Sequence, residues 1–321
     1  MRPEMRVVAV GAHVLDVLAC PVEEIPQGQG GALLDAIRVA PAGTAGGTAV
    51  ILAKLGARVL SAGAVGDDAL ADLLIGLLRR HGVDTSALVR RDGVQTSASV
   101  LPIRADGSRP ALHVLGANVT LAEADIPWAE LEGATHVHLG APELLDAALA
   151  HRILKTARAA GAVTSVDFLA PGDFPGVLEI IAPLLPLVDH VLPNDEQVLG
   201  YTGAEQVEAG CRTLLAQGAG CVAATCGAAG AVVVSAAGVE RVPAHAIDVV
   251  DTSGCGDAFS AGYLRALALQ RTPAEAAALG CAVAALVAQG LGTDHGDFDL
   301  AAAERFAAEG PVRAAATSLS R

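Results

Sequence analysis

The feature that most constrains this chain is an alternation. From about residue 134, short apolar runs that read as strands (135–139, 162–167, 188–192) are followed by longer stretches with helical spacing (143–160, 195–200, 204–217). The same rhythm opens the chain. Arg6–Gly11 reads as a buried strand, Thr48–Leu55 as a short helix closed by Gly56, and Val59–Val65 as a second strand. Ala69–His81 reads as an amphipathic helix whose basic Arg79, Arg80 and His81 suit the negative end of its dipole. Near the end, strands at 221–225 and 231–235 flank a glycine-bounded turn, and helices come after them at 256–269, 273–289 and 299–308. Repeated βα units predict a three-layer α/β/α fold around a mostly parallel sheet with right-handed crossovers. Composition agrees: hydrophobic residues make up 52% but aromatics only 2%, so the core is built from Ala, Val and Leu, which pack helices closely on a sheet.

Two stretches break the rhythm. Residues 13–42 are partly polar, glycine-rich and proline-containing. Within 94–118, Ser97–Ile103 and Ala111–Leu115 alternate around the turn Ala105-Asp106-Gly107-Ser108, a hairpin signal. The two excursions are expected to pair into one small β-sheet. The body is then 1–12, 43–93 and 119–310, with the small sheet from 13–42 and 94–118.

Charge excludes several function classes. With 21 Lys+Arg against 35 Asp+Glu the net charge is −14, opposite to what a non-specific nucleic-acid binder or a protein held on an anionic membrane needs. The six cysteines are scattered and form no Cys-x-x-Cys pair, which reads as free thiols in a reducing, cytoplasmic compartment. Val17-Leu18-Ala19-Cys20 is faintly similar to a lipoprotein cleavage site. Asp16 interrupts the apolar run before it, so Val7–Leu15 reads as a buried first strand ending at Asp16. The apolar run Ala276–Ala288 is too short to span a bilayer.

Phosphate sites need converging backbone N–H groups. No Gly-x-x-x-x-Gly-Lys-Ser/Thr is present, and in Gly254-Cys255-Gly256 the third glycine of a dinucleotide fingerprint is replaced by Phe259. The residues after Gly256 are more informative: Asp257 and then Ala258–Leu264, a helix. Small residues at 254–256 leave N–H groups free at the positive end of a helix dipole, a natural anion hole. Two readings of Asp257 stand beside it. It accepts a proton from a hydroxyl attacking a phosphoryl group, or it only caps the helix.

Asp251-Thr252-Ser253-Gly254-Cys255-Gly256-Asp257-Ala258-Phe259 resembles the C-terminal signature of the ribokinase-like (PfkB) carbohydrate kinases. The resemblance covers nearly the whole chain in order: Val10–Asp16, Leu55-Gly56, Gly66-Asp67-Asp68, Gly82-Val83-Asp84, Asp106-Gly107, Gly116-Ala117-Asn118, Pro193-Asn194 with Thr202-Gly203, and Thr225-x-Gly227-x-x-Gly230. It implies an ATP-dependent kinase acting on a hydroxyl of a sugar or sugar-like molecule, with the small sheet as a lid over the site. It also implies roles. Asp257 is the catalytic base, and the N–H groups of Gly254, Cys255 and Gly256 hold the transferring phosphoryl group. Asn194, Thr225, Gly227, Gly230, Gly254 and Gly256 line the ATP site. Asp16, Gly43, Gly47 and Asp257 face the acceptor, and Mg²⁺ accompanies ATP near Asn194 and Gln197. Asp251 and Ser253, with the loop near Gly292, stand where some members bind a monovalent cation such as K⁺. Relatives often dimerise through the lid, and a homodimer is expected here.

The chain departs from the family pattern in two places. Where the family reads Gly-Gly-x-x-x-Asn, this chain has Ala42-Gly43-Thr44-Ala45-Gly46-Gly47, so the sugar-binding asparagine is Gly47. Ribokinase itself also carries polar residues at the positions of Val14 and Thr44. A pocket stripped of three hydrogen-bond partners points away from ribose and toward a less polar or larger acceptor, such as a nucleoside. The family's magnesium-organising glutamate falls on Gln197, with Asp195 and Glu196 beside it as substitutes. These departures keep a second class open: a catalytically weak relative that binds ligand as a sensor.

Five further residues have readings of their own. Cys255 at a helix start is either a low-pKa reactive thiol or simply a small residue. His136 and His138 share a strand face, as metal ligands or as buried strand-end residues. His13 is expected near the acceptor, and Trp128 in packing.

Overall fold

The computed structural model describes residues 4–105 and 107–313, so Asp106 of the expected hairpin turn lies outside the described residues. The chain starts with β1 (Arg6–Gly11), whose side chains alternate between two cores: Val7 and Ala9 enter one, Val8 and Val10 the other. A strand buried on both faces has no polar side, which is why it reads as an unbroken apolar run.

The run does not continue to Asp16 as one strand. The chain leaves the body after Gly11, where φ is +123° and a Cβ would stand 1.9 Å from the carbonyl oxygen of Gly140. It turns through Ala12 and His13, whose N–H groups bond Gly140 O and Asn118 Oδ1, and re-enters as β2 (Val14–Cys20) in a different sheet. Strand β3 (Ala36–Ala42) pairs antiparallel to it, and α1 (Gly46–Lys54) returns the chain to the body. Helix α1 starts two residues earlier than the spacing of apolar residues predicts.

Next come β4 (Arg58–Gly66), α2 (Ala69–Arg80) and β5 (Asp84–Arg91). Asp68 caps α2 by accepting from Ala71 N at 2.8 Å. Strand β5 has no clear sequence signal because it is a half-exposed edge with polar residues. Strands β6 (Ala98–Pro102) and β7 (Leu112–Val114) form the expected hairpin, and β6 pairs parallel to β2.

The second half supplies α3 (Trp128–Gly133), β8 (His136–Gly140), α4 (Ala147–Ala159), β9 (Val163–Asp167), α5 (Val177–Ile181) and the short β10 (His190–Val191). The expected helix 143–160 is split: a 3₁₀ turn covers 142–144, and α4 begins anew where Asp146 accepts from Leu149 N. After these come α6 (Asp195–Thr202), α7 (Val207–Ala216), β11 (Cys221–Thr225), β12 (Ala231–Ser235), β13 (Gly238–Val242), α8 (Cys255–Ala268), α9 (Pro273–Val287) and α10 (Leu300–Glu309). Strand β13, like β5, is an exposed edge that its polar sequence hides.

The large sheet runs β13-β12-β11-β10-β9-β8-β1-β4-β5 and the small one β3-β2-β6-β7. In the large sheet only the β11–β12 and β12–β13 pairs are antiparallel. Helices α1, α2, α8, α9 and α10 contribute to the core on one face, and α3, α4, α5 and α7 to that on the other, giving the three-layer α/β/α architecture. Helices α8 and α9 meet closely because glycines face each other: a Cβ on Gly262 would stand 2.9 Å from Gly280 Cα. No helix among the described residues is long and apolar enough to cross a membrane.

Candidate active site

The carboxyl ends of β1, β8 and β9 carry Gly11, Gly140 and Asp167. In open α/β sheets ligands bind outside such ends. Into this region points the start of α8. Its N-cap is Gly254 in the left-handed conformation, with no side-chain cap. A Cβ on Gly254 would stand 2.1 Å from Thr293 Oγ1, so glycine is required there for space as well as for φ. Asp257 is therefore not the helix cap. It sits at the third helical position, 9% exposed.

The backbone donors differ in one respect from expectation. Cys255 N–H turns back to Thr252 O at 3.3 Å. The N–H groups of Gly254, Gly256 and Asp257 have no hydrogen-bond partner among the described residues, and they sit at the positive end of α8.

Of the residues expected to face the acceptor, Gly47 meets Asp257 directly. A Cβ on Gly47 would stand 2.2 Å from Asp257 Oδ2, so the carboxylate lies close against the first turn of α1. Gly43 has φ +89° and room for no side chain beside Ala12 O. Asp16 reaches the site from β2, where it stands opposite Ser99 of β6, whose hydroxyl meets His113 Nδ1 at 2.9 Å.

Charge in this cluster is one-sided. Burial, then the charges of Asp167 and Asp16, push the Asp257 carboxyl well above the usual range, with Arg109 opposing. Burial lifts Asp16 to about 6 and Asp167 to about 7. Arg109 sits in the β6–β7 connection, is half-buried, and lowers both Asp16 and Asp257; its Nε has no hydrogen-bond partner among the described residues.

Sequence reasoning missed Arg109, a lone basic residue in a turn, and Asp167. The latter did leave a signal: a carboxylate ending an apolar strand at the ligand-binding edge of an α/β sheet. Asp167 is held by Phe168 N at 2.8 Å and by Ser260 Oγ at 3.0 Å, one helical turn beyond Asp257.

Of the residues expected to line the nucleotide, Asn194 and Thr225 form a parallel bridge, and Thr225 N donates to Pro193 O at 3.0 Å. Gly227 has φ +52°, and Gly230 lies where a Cβ would meet Val242 O at 1.9 Å. The structure thus brings Asn194 to the Thr225–Gly230 turn.

The side chains expected near Mg²⁺ are engaged elsewhere. Asn194 and Gln197 cap α6 reciprocally, and Gln197 Nε2 donates to Phe168 O at 3.0 Å and Ala170 O at 3.1 Å. An amide that donates twice to carbonyls does not fit a metal-organising role. Glu196 is exposed and Asp195 half-buried, and Asp195 Oδ1 accepts from Glu196 N.

The pair expected to hold a monovalent cation is also self-satisfied. Asp251 Oδ1 accepts from Ser253 N at 2.8 Å and Ser253 Oγ at 2.7 Å, and Oδ2 accepts from Gly292 N at 2.9 Å. The two side chains bond each other instead of presenting a shared cage, so they do not fit the ion.

The remaining candidates resolve simply. Burial pushes the Cys255 thiol up to about 12, with Asp251 adding to it, so the small-residue reading stands over the reactive one. His138 bonds Ser165 Oγ and Thr44 O, His136 bonds Thr135 Oγ1, and no metal cluster exists among the described residues. His13 is fully buried with Nδ1 on Gly11 O, and Trp128 packs under Arg152.

Known proteins resemble this chain in sequence and in fold. The pfkB family carbohydrate kinase model matches residues 5–298. The chain is 29% identical to the ATP-dependent ribose-1-phosphate kinase of Halopiger xanaduensis, covering 81% of this chain and 84% of that protein. It is 26% identical to a deoxyribokinase of Salmonella typhi, covering 79% and 83%. The crystal structure of adenosine kinase from Sinorhizobium meliloti superposes with a TM-score of 0.78 at 26% identity, covering 96% of this chain and 100% of that one. The chain belongs to the pfkB family and is an ATP-dependent carbohydrate kinase.

Proposed function

We propose that this pfkB-family kinase transfers the γ-phosphoryl group of MgATP to a hydroxyl of a sugar or sugar-like molecule, with Asp257 as general base. The observation that carries this reading is the place of Asp257: buried at the start of α8, against Gly47, beside the free N–H groups of Gly254, Gly256 and Asp257. The acceptor oxygen forms its bond to phosphorus as the bond to the ADP oxygen breaks, and its proton passes to the Asp257 carboxylate. The N–H groups hold the transferring phosphoryl oxygens. Burial beside Asp167 and Asp16 makes Asp257 a stronger base than a surface carboxylate, and Arg109, approaching from the small sheet, favours its ionised form. Mg²⁺ supplies charge neutralisation to the phosphates when bound with ATP.

Asp16, Gly43 and Gly47 line the acceptor, and Asn194, Thr225, Gly227 and Gly230 the nucleotide. The polar partners lost at Val14, Thr44 and Gly47 favour a second acceptor class, nucleosides, and the adenosine kinase relative supports weighing it. The outer face of the small sheet exposes Ile37, Val100, Leu112 and Val114, which supports a homodimer through that sheet. Six unpaired cysteines suit a cytoplasmic protein.

The test is ADP release against pentoses, hexoses, their phosphates and nucleosides, with Asp257→Asn in parallel. The expected loss in kcat is about 10²- to 10⁴-fold with ATP affinity nearly unchanged. Full activity in Asp257→Asn refutes the base assignment. Tight ligand binding without turnover moves the reading to a sensor.

A further inference from the structure

Lys54 ends α1, the helix whose first turn carries Gly46 and Gly47. Its ammonium donates to three successive backbone carbonyls: Asp294 O at 3.2 Å, His295 O at 2.9 Å, and Gly296 O. Nζ also stands 4.1 Å from the ring centroid of Phe298. Converging carbonyl dipoles and an aromatic face are the surroundings a small monovalent cation seeks. The same loop is tied a second way, because Asp294 pairs with Arg38 at 2.8 Å and His81 at 3.2 Å.

The loop leads straight to the anion hole. Two residues upstream of Asp294, Gly292 N donates to Asp251 Oδ2. Thr293 packs against Gly254, within 2.1 Å of where a Cβ would be. Lys54 therefore holds one end of a segment whose other end sets Gly254, the first free N–H donor. Without a cation, three inward carbonyls would be left to repel one another in a half-buried loop. A lysine on a rigid helix supplies the charge covalently, with no need to capture an ion.

We propose that Lys54 is a tethered monovalent cation: a positioning residue that orders Gly292–Gly296 behind Gly254, so that phosphoryl transfer proceeds without an added monovalent ion. This rests on the kinase reading above. Burial lowers the Lys54 ammonium to about 8 against the opposing charges of Asp294 and Asp297, so it is still mostly charged at neutral pH.

The test compares wild type, Lys54→Met and Lys54→Arg in potassium-free buffer, then with excess KCl, NH₄Cl or tetramethylammonium chloride at equal ionic strength. Wild type is expected to respond to none of them by more than about twofold. Lys54→Met is expected to lose about 10- to 100-fold in kcat with acceptor KM little changed, since the defect lies in aligning the phosphoryl group. Ammonium or potassium, but not tetramethylammonium, restores part of that loss, and Lys54→Arg keeps most activity. Hydrogen exchange across 290–296 reads the same idea without turnover: faster in Lys54→Met, slowed again by ammonium. Strong activation of wild type by potassium, or a Lys54→Met defect in both readouts that no small cation repairs, overturns the proposal. Inactivity of wild type toward every acceptor counts against the kinase reading alone, because the exchange experiment still decides the role of Lys54.

Discussion

Gly47 and Asp257 touch across two helices: the side chain that Gly47 lacks would occupy the place taken by Asp257 Oδ2, 2.2 Å from the projected Cβ. Gly47 lies inside α1 without a left-handed φ, so alanine there is conformationally welcome and adds helix propensity of up to about 1 kcal/mol. The cost falls on the carboxylate, which must swing away. Gly47→Ala is expected to hold or raise Tm while lowering kcat at least about tenfold. Thermal melts beside steady-state kinetics check this; a drop in both would place the effect in folding instead.

Asp167 raises Asp257 by like charge. Asp167→Asn should therefore lower the basicity of Asp257 and move the acid limb of the kcat/KM profile to lower pH. The sign for stability is opposite to that of a paired carboxylate. Folded-state values of about 6 for Asp16 and about 7 for Asp167 lie above the ordinary aspartate value of 3.8. Their stabilising contribution is present below the unfolded value and is lost as pH rises through 6 to 7. Wild type should melt higher at the acid side of this window than at mildly alkaline pH, with a smaller difference in Asp167→Asn.

Gln197→Glu restores the residue type of the family pattern and is expected to harm this chain. The amide donates to Phe168 O and Ala170 O, and a carboxylate would face both carbonyls with lone pairs. The loss is about 1–3 kcal/mol, visible as a lower midpoint in denaturant with an unchanged slope.

Arg109 is the cation set against Asp16 and Asp257. Arg109→Gln should shift the acid limb of the rate profile upward, opposite to Asp167→Asn, and should leave Tm nearly unchanged because Arg109 makes no hydrogen bond at Nε. An unshifted profile would remove Arg109 from the site.

The outer face of the small sheet gives an assembly test. Val100 and Leu112 are direct cross-strand neighbours and are 47% and 63% exposed. Val100→Asp is expected to convert a dimer to a monomer by light scattering while secondary structure is kept. A monomeric wild type would sink the dimer proposal.

The three-layer fold is legible in the amino-acid order alone, because period-2 and helical spacing are local and the two cores are written residue by residue into strands such as β1 and β11. So are the glycine-rich start of α8 and the glycines of α1, since backbone conformation and close approach leave a composition signal. Which side chains meet is settled only when the chain folds. Asp167 and Ser260 are 93 residues apart, Lys54 and Asp294 are 240 apart, and Arg109 lies in a connection of the separate small sheet. None of these meetings has a local pattern: the strand-end place of Asp167 marks the residue but not its partners, and a charge in a turn or at a helix end is ordinary until folding removes the water around it. Burial is what turned three ordinary aspartates into a coupled basic cluster, Gln197 into a structural clamp, and a surface-like lysine into the cation of a carbonyl cradle.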